Sequence, residues 1–157
     1  MNDQDFTRSF SVDQTPAQVF AAINNVRGWW SQEIEGDTDK AGAVFAYHYK
    51  DVHRCTLKIV EFVPSEKIVW HVLSNYFSFT QDTTEWTGTK IRFDIARVGG
   101  KTEVRFTHDG LVPEDECYEA CSEGWSTYVN SLRSLVSTGQ GSPNIGQPLT
   151  ETERALS

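Results

Sequence analysis

Near the C-terminal end, apolar side chains recur at steps of three and four: Tyr118, Cys121, Trp125, Val129, Leu132 and Val136. Such a stripe predicts one amphipathic helix over residues 117–138. At ~1.5 Å per residue it is a rod about 33 Å long, comparable to the width of a small domain. Upstream the period changes to two. Phe6, Arg8, Phe10 and Val12 alternate with Thr7, Ser9 and Ser11, which predicts a strand. The same alternation runs through residues 44–49, 54–63, 67–74, 90–98 and 101–108. Pro64-Ser65-Glu66 suits a tight turn between two of these strands. Gly99-Gly100 is a two-residue hairpin signal, because a type I′ turn requires positive φ at both central residues. Residues 75–88 give no clear period: 75–79 are open to prolonging the strand before them, and 81–85 read as a polar loop.

Two short helices are expected before the strands. Thr15 can cap the first, Pro16 suits its first position, and Gln18 completes a capping box; Val19, Phe20 and Ile23 form the buried face and Asn24-Asn25 the end. The second carries Val26, Trp29 and Trp30. One long helix against many strands predicts an α+β architecture, a curved antiparallel sheet wrapped around a C-terminal rod. A geometry of that kind tends to leave a cavity between helix and sheet. Residues 1–141 are read as one domain. Residues 142–157 are read as a polar C-terminal tail dispensable for folding, with a short helix at 151–156.

Composition narrows the class of function. The 157 residues carry a net charge of −8, and five are Trp. The negative charge argues against nucleic acid, which rewards a basic patch. No segment approaches the ~20 apolar residues of a membrane span, so membrane insertion is not expected. The start of the chain lacks the basic flank and apolar core of a signal peptide. Three cysteines, an odd number, read as reduced thiols in a cytoplasmic protein.

Several stretches together resemble one family. They are Trp29-Trp30, Val60-Glu61-Phe62-Val63-Pro64 with Ile68-Val69-Trp70, residues 102–111, Gly124-Trp125 with Tyr128 and Leu132, and the closing Gly139-Gln-Gly-Ser-Pro-Asn144. Their order resembles the helix-grip fold of the START-like (SRPBCC) superfamily. More narrowly, it is similar to bacterial stand-alone domains related to the C-terminal domain of the activator of heat-shock protein 90 ATPase. The resemblance implies an apolar cavity, used across the superfamily for carriage, sequestration or cyclisation. It does not imply chaperone activation, which in the named member depends on a separate N-terminal domain that this chain is too short to contain. Fold alone therefore leaves function open.

Candidate cavity residues follow from strand and helix parity: Trp29, Trp30, Phe45, Tyr47, Trp70, Phe93, Phe106, His108, Trp125 and Tyr128. Most of these are expected to be filled core. Trp30 and Tyr128 are the strongest lining candidates, since each adds a polar handle. His108 ends its strand on the face of Val104 and Phe106. It reads as a hydrogen-bonded structural histidine or as an acid–base group inside the cavity. His48, His53 and Cys55 match no trusted metal spacing. Nucleophile elbows, phosphate loops and His-Glu-x-x-His are absent from the sequence. The leading expectation is a cofactor-free binder of a small apolar or aromatic molecule, compatible with a homodimer. The alternatives are a cyclase- or hydrolase-type enzyme using the same cavity, and a chaperone-interacting module.

Overall fold

The computed structural model describes residues 5–145 and 155. Its elements run β1 (Phe6–Val12), α1 (Pro16–Asn24), α2 (Val26–Trp29), β2 (Ile34–Glu35), β3 (Val44–Tyr49), β4 (His53–Val63), β5 (Lys67–Phe77), β6 (Lys90–Val98), β7 (Lys101–Asp109) and α3 (Tyr118–Thr138). The seven strands form one sheet in the order β1-β7-β6-β5-β4-β3-β2, and every adjacent pair is antiparallel. Two register shifts in the β4–β5 ladder, at Thr56/Leu57 and Ile59/Glu61, bend these strands. The curved sheet packs around α3, and α1 and α2 also lie against that helix. This is the helix-grip architecture.

Local signals in the sequence act as expected. Thr15 Oγ1 accepts from the Gln18 amide, and Gln18 Oε1 accepts from the Thr15 amide, closing the capping box at α1. Gly99 and Gly100 turn with φ of 59° and 84°, joining β6 to β7. Helix α3 stops at Gly139, whose φ of 86° lets its amide bond back to the Leu135 carbonyl.

Two features depart from the sequence reading, and a third decides a point it leaves open. The two-residue strand β2 pairs with β3 and was not foreseen, being too short to show a period. Strand β5 takes the longer of the two readings left open and runs on to Phe77, because Asn75 and Phe77 are both buried and the latter joins the core. The expected boundary at 141/142 cuts through a segment tied to the domain. The Ser142 amide donates to Ser131 Oγ at 2.7 Å. Asn144, which is 1% exposed, donates its amide to the Trp30 carbonyl and accepts from the Gln32 amide. An added Cβ at Gly141 would lie 2.3 Å from the Gly28 carbonyl oxygen, so only glycine fits that crossing. Polar composition hid this docking, since the contacts are hydrogen bonds rather than an apolar face. The helix expected at 151–156 lies outside the described residues, except for Ala155.

Candidate functional site

The space between sheet and helix is mostly filled. Trp29, Trp70, Phe45, Phe93 and Phe106 are buried and pack on one another. All five tryptophans form one continuous set of ring contacts. Trp29 and Trp70 lie within 12° of parallel, Trp70 and Trp30 within 10°, and Trp86 and Trp125 also within 10°. Trp30, whose centroid is 5.0 Å from that of Trp125, joins the two groups.

One end is open. There Trp30, Tyr47, Trp125 and Tyr128, all expected from sequence, line a cleft between α3 and the ends of β3, β4 and β5. The cleft and its mouth span about 550 Å³, of which about 70 Å³ can hold the centre of a water-sized sphere. At ~10–15 Å³ per water centre, that is room for a handful of waters. Val52, His53, Phe79 and Gly124 form a half-buried rim, and no Lys or Arg lines the cleft. The inner wall is completed by Phe77 and Trp86.

His108 lies outside this cleft and is completely buried. Its two ring nitrogens are both used. An indole N–H only donates, so the 3.0 Å contact with Trp125 Nε1 makes His108 Nδ1 the acceptor. The proton therefore sits on Nε2, which donates to Thr89 Oγ1 at 2.8 Å. That hydroxyl in turn donates to the Trp86 carbonyl at 2.6 Å. Burial, with a smaller contribution from nearby His53, lowers the His108 pKa to about 3, so the ring is neutral. The acid–base role in the cavity is thereby corrected. His108 orients Trp125 and reaches no open space.

In the sequence His53 stands out only as a metal-ligand candidate with His48 and Cys55, at a spacing that matches no metal site. Among the described residues no cluster of His, Cys, Asp and Glu can hold a metal ion. His48 is exposed and lies 3.7 Å from Glu33, whereas Cys55 is a buried free thiol. His53 instead stands against Phe77, Trp86 and Tyr47, with centroids 4.4, 4.6 and 5.1 Å away. Its Nε2 is 2.8 Å from Asn75 Oδ1, and Asn75 Nδ2 donates to the Thr83 carbonyl. Asn75 therefore presents its oxygen, Nε2 carries the proton, and Nδ1 is a bare acceptor. Burial lowers the His53 pKa to about 4 against the opposing pull of Asn75.

Trp86 carries no sequence signal for a different reason. Its loop lacks periodicity, and two carboxylates hold the loop in place. Glu85 caps α3 from outside, accepting from the amides of Glu116 at 2.7 Å and Cys117 at 2.9 Å. Glu116 returns the contact, accepting from the amides of Gln81 at 2.9 and 2.8 Å and of Asp82 at 3.3 Å. Carboxylates suit a helix N-terminus, where free amides and the dipole favour negative charge.

Gly124 carries the clearest signal. It sits in the middle of α3, where glycine destabilises a helix by about 1 kcal/mol relative to alanine. No neighbour requires it, for an added Cβ would meet nothing within 4 Å. It faces the cleft. Cys121, one turn earlier, also lines the cleft, and Cys117 lies behind it. A hydrogen bond with Cys121, and then burial, push the Cys117 thiol pKa up; burial does the same at Cys55, so neither is a thiolate.

The family model described as "Activator of Hsp90 ATPase homolog 1-like protein" matches residues 13–137. No curated protein matches the chain in sequence. Among solved structures, the chain is similar to the Aha1 dimer from Colwellia psychrerythraea at 20% identity and a TM-score of 0.70, covering 87% of this chain and 98% of that one. CalU16 from Micromonospora echinospora is 15% identical at a TM-score of 0.61, over 86% and 77% of the two chains. DynU16, from the dynemicin biosynthetic locus, is 14% identical at 0.62 and matches 89% of this chain, which spans about half of that protein (49%). At these identities the likeness shows the fold.

Proposed function

Because the chain belongs to the family of activator of Hsp90 ATPase homologue 1-like proteins, in a fold that leaves one open aromatic cleft, we propose that it binds a small, flat apolar molecule there. The observation that carries this reading is Gly124. A mid-helix glycine with open space above it has no packing role, and its absent side chain is what keeps the cleft wall recessed. Binding would follow from covering apolar ligand surface, worth about 2.5 kcal/mol per 100 Å² at ~25 cal/mol per Å². The aromatic rings of Trp30, Tyr47 and Trp125 supply flat walls, and the lack of lysine and arginine favours an uncharged ligand. Catalysis through His108 is disfavoured, since both of its nitrogens are bonded within the core.

The test is a titration with an uncharged, environment-sensitive naphthalene fluorophore. Near one-to-one binding with quenching of tryptophan fluorescence is expected, because Trp30, Trp86 and Trp125 form the walls. If neither the fluorophore nor any component of a lipid extract binds the native protein, the reading fails.

A further inference from the structure

The cleft is apolar but not featureless. Two polar atoms of its wall have no hydrogen-bond partner among the described residues. One is Nδ1 of His53, bare because Nε2 is committed to Asn75, on a half-buried ring of the rim. The other is Nε1 of Trp86, a buried donor left unsatisfied. The two rings stand perpendicular with centroids 4.6 Å apart. An acceptor is therefore unused on the rim of the cleft, whereas the Trp86 donor is closed off from open space. An unsatisfied buried polar group is costly, and a ligand that pairs with it gains what the free protein lacks.

Resting on the binding reading above, we propose that the cleft selects an uncharged aromatic molecule bearing a hydroxyl group, a phenol or naphthol, whose O–H is donated to His53 Nδ1. A carboxylate or phosphate meets the opposite conditions, because it brings no proton to His53 and finds no cation in the wall. A plain hydrocarbon fills the space but leaves His53 Nδ1 unpaired. Sites built around a ligand hydroxyl discriminate more sharply against its absence than apolar pockets discriminate by shape.

Equilibrium dialysis of the full chain at pH 7 against 2-naphthol, 2-methoxynaphthalene and 2-naphthoate tests this. The expected order places 2-naphthol at least about tenfold tighter than either of the others, equivalent to ~1.4 kcal/mol. In His53→Phe, which keeps an aromatic ring and removes the acceptor, the preference over 2-methoxynaphthalene should shrink to about twofold or less. Should that variant not fold, nitrogen NMR of the wild type supplies the same answer. The His53 Nδ1 resonance should move on adding 2-naphthol and stay in place with the methyl ether. Equal affinity for naphthol and its methyl ether, tighter binding of 2-naphthoate, or a preference that survives His53→Phe each overturn the hydroxyl proposal while leaving cleft binding intact. If none of the three compounds is retained, the cleft reading falls and takes this proposal with it.

Discussion

Trp125 is held by two kinds of contact at once. Its ring packs against Trp30, Phe106 and Trp86, with centroids 5.0, 4.7 and 5.5 Å away, and its N–H is anchored on His108. Trp125→Ala should therefore destabilise the protein by ~3–5 kcal/mol, as for other buried aromatics. Chemical denaturation checks this, and a midpoint near that of the wild type would mean that α3 is not gripped as described. Stripe spacing made this residue legible in the sequence, because a helix exposes its period in one dimension. Strand parity marks Tyr47 instead, and Trp30 and Tyr128 stand out as aromatic residues with a polar handle. His108 was legible as to its face but not its role, since the partners that decide it, Thr89 and Trp125, are 19 and 17 residues away. His53 and Trp86 were not legible as a pair. They lie on a strand and a loop that meet only when the sheet curls.

At the scale of elements, the loop over residues 78–88 and the start of α3 are joined by reciprocal carboxylate–amide bonds through Glu85 and Glu116. Glu85→Ala removes an external cap from α3 and loosens the loop that presents Trp86 to the cleft. A stability loss of ~1–2 kcal/mol is expected, in the range of a lost helix cap, together with faster amide hydrogen exchange at Glu116 and Cys117. Unchanged exchange at those two amides would contradict the lock. Lone acidic residues in polar loops carry no sequence mark of such pairing, so this junction was not legible. A similar argument covers the segment after α3. Asn144 donates its side-chain amide to Tyr128 Oη at 3.2 Å, in addition to its two backbone bonds with the α2 region. Truncation before Ser142 should lower the melting temperature by several degrees, whereas truncation after Ile145 should leave these particular contacts in place. The element order, the hairpin at Gly99-Gly100 and the capping box were all legible, because each is decided by residues close together in the chain.

For the whole molecule, the two neutral histidines set an acid limit. His53 and His108 have folded pKa values of about 4 and about 3, both below the ordinary 6.5. Above pH 6.5 both states hold these rings neutral, so no penalty arises. As pH falls below 6.5 the unfolded chain takes up protons that the folded chain refuses. Stability then declines by up to ~1.4 kcal/mol per pH unit for each group until its folded pKa is reached. Asp5 and Asp115 act in the opposite sense, since burial raises both and protonation relieves that strain. The balance predicts a steep fall in denaturation free energy between pH 6 and pH 4, and a flat profile over that window would contradict the neutral core histidines. The central claim, that this fold keeps an open cleft for an apolar ligand, rests on Gly124 and is tested there most directly. Gly124→Ala and Gly124→Leu should be compared with the wild type by titration with the uncharged naphthalene fluorophore, alongside a thermal melt of each. The account predicts that Gly124→Ala melts at or above the wild-type temperature, because helix propensity rises and the added Cβ meets no neighbour. It also predicts that Gly124→Leu loses binding by at least about tenfold. A Gly124→Leu protein that folds well and binds the fluorophore as tightly as the wild type would show that the cleft is not the site.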